Sequence, residues 1–139
     1  MDPIEVAARS LRHRDRSRSE VDERLAKAGV GEEERTEALE RLAQLGYVDD
    51  GRFAAERAAA LAGRGQGDAA IRFDLQGRGV DPDAIEAALA GLVPEAERAV
   101  ELADRLGRTA KTMGQLRRKG FGADALEAAF GSGIAGPGP

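Results

Sequence analysis

LAKAGVGEEERTEAL, residues Leu25–Leu39, has two echoes further along the chain. Fifty residues on, Leu75–Leu89 reads LQGRGVDPDAIEAAL, and forty-one residues after that Leu116–Phe130 reads LRRKGFGADALEAAF. Three columns fall in register: Leu25, Leu75 and Leu116; Gly29, Gly79 and Gly120; Val30, Val80 and Phe121. Leu39, Leu89 and Phe130 close the match. Shared glycine alone would mean little in a chain with 18 of them, but glycine, apolar residue and later apolar anchor together define a repeat. In each copy a helix ends at the glycine, whose missing Cβ permits the left-handed conformation after a helix end. The next apolar residue folds back, and an acidic stretch opens a second helix, where negative charge meets the positive helix end. Asp81 and Pro82 read as the N-cap and first turn of that helix in the second copy.

Working outward, an amphipathic helix precedes each pair. Ile4, Ala7, Ala8 and Leu11 follow the i, i+3, i+4, i+7 stripe, as do Ala99, Leu102, Ala103 and Leu106; Ala54, Ala58 and Leu61 serve the middle copy. Ser19 with Asp22 suggests a capping box for the helix before Gly29. The spacing predicts helices near 4–13, 19–28, 32–45, 51–62, 67–77, 82–91, 95–107, 110–119 and 123–130. No stretch alternates with a period of two, so the expected fold is all-α. It is an elongated, slightly curved array of three tandem three-helix units, at 4–48, 49–93 and a shortened 94–130, with a flexible tail at 131–139.

Composition agrees with thin helix-on-helix interfaces: 42% of residues are hydrophobic, many of them alanine, and only 4% are aromatic. The net charge of −4 opposes a simple nucleic-acid coat, since phosphate contacts need Lys and Arg, although a local basic face is still allowed. Without cysteine there is no disulfide, thiolate nucleophile or thiolate-bound metal. No apolar run is long enough to span a bilayer, and MDPIEVAARS has no secretory character, so a cytoplasmic location without membrane attachment is expected.

Few residues suggest chemistry. His13 lies near Ser10 and Asp15, but neighbours on one helix cannot aim at one another as a triad requires. Asp49 and Asp50 read as the cap of the helix carrying Arg52 and Phe53, and Tyr47 with Val48 as an apolar latch after Gly46, with Tyr47 packing between units. GRGQG (Gly63–Gly67) is not followed by Gly-Lys-Ser/Thr, so it is an inter-helix loop rather than a nucleotide cradle. No catalytic residue, metal site or cofactor is expected. What stands out is positive charge. Arg9, Arg12, Arg14, Arg16 and Arg18 crowd one segment; Arg72 and Arg78 flank the equivalent helix of the second copy, and Arg117, Arg118 and Lys119 that of the third. Each cluster reads either as a contact surface for phosphate or an acidic partner, or as a solvated helix end complementing the helix dipole. Their recurrence on equivalent helices suggests one basic stripe along the array.

Three tandem three-helix units with these joints resemble the RecX family of bacterial regulatory proteins. The resemblance is carried by SRSEVDERLAKAGV (Ser17–Val30), ALERLAQLGYVDDGRFA (Ala38–Ala54) and IRFDLQGRGVD (Ile71–Asp81), with LGYVDD…RFA (Leu45–Ala54) weighing most. It covers roughly residues 4–130 and is strongest before 90. It implies a monomeric, non-enzymatic modulator that binds the RecA recombinase and its filament on DNA. Such a modulator restrains filament growth, ATP hydrolysis and strand exchange in DNA repair and recombination; the ten basic residues above, chosen from their clustering, are the candidate contacts. Many relatives carry more basic residues where this chain has Asp68, Ala69 and Ala70, so direct DNA contact is expected to be weak. The competing reading is a helix-turn-helix module that binds duplex DNA without RecA; a generic protein-binding scaffold is a third.

Overall fold

The computed structural model describes residues 2–12 and 14–131. Within them lie nine helices: α1 (Pro3–Leu11), α2 (Arg18–Lys27), α3 (Glu32–Gln44), α4 (Asp50–Gly63), α5 (Asp68–Gly77), α6 (Pro82–Ala90), α7 (Glu95–Leu106), α8 (Ala110–Arg118) and α9 (Ala123–Phe130). No strand occurs among the described residues. The expected ends are met to within two residues. Of the expected flexible tail only Gly131 is described, and the rest, like His13, lies outside the described residues.

The repeat read from the sequence is a repeated helix stop. Gly29, Gly79 and Gly120 have φ of +89°, +76° and +98°. In each case the next residue donates its N–H back to the carbonyl five residues earlier: Val30 to Leu25 at 3.0 Å, Val80 to Leu75 at 3.1 Å and Phe121 to Leu116 at 3.1 Å. This is the Schellman closure, which satisfies carbonyls that a helix end would otherwise leave unpaired. Both residues of each pair are buried, which adds about 2 kcal/mol per large side chain removed from water. The same closure ends α3, where Tyr47 donates to Leu42 at 2.9 Å. There, however, Tyr47 is 60% exposed and Val48, at 4%, is the residue that folds in. The expected packing of Tyr47 between units is therefore corrected: one residue of register at the α3–α4 turn decides which of the two faces the core.

The helix starts also follow local chemistry. The cap of α2 is Ser17 rather than Ser19, with a reciprocal capping box to Glu20: the Glu20 N–H donates to Ser17 Oγ, and the Ser17 N–H to Glu20 Oε1, both at 3.1 Å. Ser19, already inside the helix, is not free to play that part. Asp49 caps α4 by accepting from the Arg52 N–H at 3.0 Å. Asp81 is the N-cap of α6 with Pro82 in the first turn, as expected, but its carboxylate makes no capping bond.

Each run of three helices closes over its own core. The first contains Val21, Leu25, Leu39 and Leu42; the second Phe53, Leu61, Ile71, Leu75 and Ile85; the third Met113, Leu116, Phe121, Leu126 and Phe130. In the second and third units the first and third helices form the main pair, α4 with α6 and α7 with α9. Alanines such as Ala54, Ala58, Ala99 and Ala103 line the seams and let the backbones approach. The middle helices, α2, α5 and α8, meet end to end between neighbouring units.

Candidate functional site

The units are joined end to end through those middle helices: the C-terminal end of α5 abuts the N-terminal end of α2, and that of α8 abuts that of α5. At the first joint Ser17 Oγ donates to the Arg78 carbonyl at 2.7 Å, and the Arg18 N–H donates to Asp50 Oδ1 at 2.7 Å. At the second joint the backbones bond directly, Gly67 N–H to the Lys119 carbonyl at 2.8 Å and Ala69 N–H to the Gly120 carbonyl at 3.2 Å. Positive helix ends thus face negative ones at both joints. Several of the basic residues stand beside these joints.

Arg9 and Arg12 are exposed at the end of α1. Arg14 is exposed and lies 3.6 Å from Glu20. Arg16 is half-buried and its Nε donates to the Ser10 carbonyl. Burial first, and then repulsion from Arg24 and Arg14, lowers its pKa from the ordinary arginine value. That repulsion reveals Arg24, on α2, as a further member of the first basic cluster. The sequence signal was weak, since Arg24 follows Glu23 and sits outside the arginine-rich run.

The second unit is different. Arg72 is clamped in a two-pronged pair with Glu86 at 2.9 and 3.0 Å, which raises the arginine's pKa and lowers the carboxylate's. Arg78 belongs to the first joint, donating to Glu20 and Asp74 at 3.0 Å each. Asp74 also accepts two bonds from Arg57 at 3.0 Å. Its carboxyl is held below its ordinary range by the Arg57 hydrogen bonds first and by Arg78 as well, burial opposing them. Positive charge here is matched by carboxylate, so a stripe through the middle of the array would cross paired charges rather than free ones.

In the third unit Arg117, Arg118 and Lys119 are exposed at the end of α8. Lys119 Nζ reaches the Arg64 carbonyl at 3.5 Å, across the second joint. Arg118 and Lys119 edge a groove that also takes in Arg64, Arg98 and Arg105, which clustering along the sequence did not find because each stands apart. Of the three clusters, those of the first and third units keep exposed cations, and that of the second is paired with carboxylates. Among the described residues no helix is long and apolar enough to cross a membrane.

Helix triads with separate cores, repeated and joined through equivalent helix ends, define a tandem helical-repeat protein. The RecX first three-helix domain matches residues 4–42, and the RecX second three-helix domain matches residues 49–89. The chain belongs to the RecX family. It is 41% identical over 93 residues to the Regulatory protein RecX of Mycobacterium ulcerans (strain Agy99), covering 66% of this chain and 54% of the relative. It is 39% identical over 88 residues to that of Xanthomonas campestris pv. campestris (strain B100), covering 63% and 54%. The match thus spans about half the length of these curated relatives. The fold is shared with the crystal structure of RecX from Lactobacillus salivarius, at a TM-score of 0.80, 23% identity and 91% coverage of both chains. A second crystal structure, of a regulatory protein RecX, superposes with a TM-score of 0.74 at 25% identity, over 91% of this chain and 71% of that one.

Proposed function

We propose that the protein acts by binding the RecA recombinase and its filament on DNA, and that it restrains recombinase, ATPase and strand-exchange activity without catalysing a reaction itself. Membership of a family of regulatory proteins is the observation that carries this reading. The geometry is consistent with it. A row of units offers equivalent faces at intervals along one body, and several weak contacts on one body add through high effective concentration. Charge supports contact on the first and third units, through Arg9, Arg12 and Arg14 on one and Arg117, Arg118 and Lys119 on the other. Arg72 and Arg78 contribute by holding the middle together. This arrangement favours a filament partner over a duplex reader, whose recognition helix needs free side chains along it.

The test is the RecA ATPase rate on single-stranded DNA as the protein is titrated in, with RecA from the same organism. Inhibition at substoichiometric ratios is expected, because a few molecules on a filament control many subunits. Reversing Arg9, Arg12 and Arg14 to glutamate should weaken inhibition about tenfold or more while leaving the helical signal unchanged. No inhibition at excess by folded protein would refute the reading. Tight, steeply salt-dependent binding to duplex DNA in the absence of RecA would instead favour the helix-turn-helix alternative.

A further inference from the structure

The groove at the second joint has a composition unlike the rest of the surface. It encloses about 690 Å³ between the end of α4, the outer face of α7 and the end of α8. Five cationic side chains line it, Arg64, Arg98, Arg105, Arg118 and Lys119, against one acid, Glu101, in a chain whose net charge is −4. Among the described residues, Arg64, Arg105, Arg118 and Lys119 have no carboxylate in ion-pair range, in contrast to the paired arginines of the second unit. Arg98 is the exception, and an informative one. Its side chain is only 10% exposed, with one terminal nitrogen bonded to Asp68 at 2.9 Å and the other to the Val93 carbonyl at 3.0 Å. Its Nε is the one buried side-chain polar atom among the described residues without a hydrogen-bond partner. Arg98 therefore belongs to the packing beneath the groove, and the four other cations form its open surface.

The groove is also apolar. Leu102 and Leu106, one turn apart on α7, form its wall, and Leu106 is 55% exposed. Its only aromatic residue, Phe121, is 4% exposed and lies under the Arg98 guanidinium, 5.8 Å from ring centroid to charge. A nucleic-acid strand would want an open aromatic face on which to stack its bases and would leave the leucines wet. An amphipathic segment with leucine-like side chains on one face and carboxylates on the other satisfies both parts of the surface. We propose that this groove is a docking site for an acidic, amphipathic peptide segment of a protein partner. Its apolar side chains would lie on Leu102 and Leu106, and its carboxylates would meet Arg64, Arg105, Arg118 and Lys119. The inference goes beyond the function proposed above and does not require the partner to be RecA.

The test is fluorescence anisotropy of a labelled synthetic peptide of about 12 residues, with leucines at helical spacing and Asp or Glu elsewhere, titrated with the full chain. Saturable binding is expected, weakened at least about tenfold by Arg105→Glu and again by Leu106→Ser. Both residues are exposed, so the thermal midpoint should stay where it is. The leucine variant separates groove docking from general charge attraction, since it leaves every cation in place. An oligothymidylate of matched charge is the competitor. If it binds more tightly than the peptide and is sensitive to Arg105→Glu but not to Leu106→Ser, the groove takes nucleic acid and the proposal is overturned. Absence of peptide binding by folded protein, or binding indifferent to both variants, overturns it equally. A failure of RecA inhibition would leave this outcome unaffected.

Discussion

The two joints solve the same problem, helix end against helix end, with different materials. In the register of the repeat Ser17 corresponds to Gly67, and Arg78 to Lys119. At the first joint the serine hydroxyl bridges to the Arg78 carbonyl, and a ring of charge surrounds the contact: Glu20, Asp74, Arg57 and Arg78, with Arg52 and Asp15 nearby in a pair at 3.1 Å. At the second, glycine removes the side chain and the Gly67 N–H itself reaches the Lys119 carbonyl. The backbones are then so close that a Cβ on Gly67 would lie 2.4 Å from the Gly120 carbonyl carbon and from the Phe121 nitrogen. With no serine to cap α5, the job passes to Glu95 of α7, which accepts from the Asp68 N–H at 2.7 Å and from the Gly122 N–H at 3.3 Å and so serves the starts of both α5 and α9. One joint depends on side-chain charge and the other on steric absence, so they should fail under different insults.

The largest effect is expected at the second joint. Gly67→Ala keeps an ordinary φ of −85° but places a methyl group where backbone atoms already stand. Urea unfolding should show a loss of about 3 kcal/mol, and native-state proteolysis should release the third unit first. Wild-type stability in this variant would mean that the joint can open to admit a side chain.

Ser17→Ala comes next. It removes a hydroxyl that is wholly buried, caps α2 and donates to the Arg78 carbonyl. A loss of about 1–2 kcal/mol is expected in the same urea measurement. A loss of only a few tenths would show that the surrounding ion pairs, not the hydroxyl, hold the first joint.

The smallest effect concerns acid. Asp74 has a folded pKa below its unfolded value of about 3.9, so its contribution is complete above that pH and disappears as pH falls through the lower folded value. The unfolding free energy of the wild type, from urea titration, should therefore decline on going from pH 7 to about pH 3 by more than that of Asp74→Asn, with a difference under about 1 kcal/mol. Equal declines would place the acid sensitivity elsewhere. Gly67→Ala should leave this difference between the two backgrounds unchanged, because the charge ring belongs to the other joint.

Much of the fold could be read from the chain because helix starts and stops are written locally. Gly29, Gly79 and Gly120 mark stops within two residues of their apolar partners, and Pro82 marks a start, so a register of fifty and forty-one residues was enough to define the units. The same local reading misplaced Tyr47, since a one-residue choice between Tyr47 and Val48 depends on which side the core lies. The candidate site was less legible. A cluster of arginines in sequence says how many charges are near, but not which are already answered. Arg78 meets Glu20 from 58 residues away, and Arg98 meets Asp68 from 30.

The sequence by itself thus determined the helical repeat, the places where its helices turn and the family to which it belongs. Each of these rests on residues adjacent in the chain and on backbone geometry that a glycine or a cap sets alone. Only the tertiary structure decided which cations are free, which are spent on joints, and that a groove lined by Arg64, Arg105, Arg118 and Lys119 lies between the second and third units. Those properties arise where distant helix ends meet, and electrostatic pairing depends on separation in space, which the order of residues along a chain does not contain.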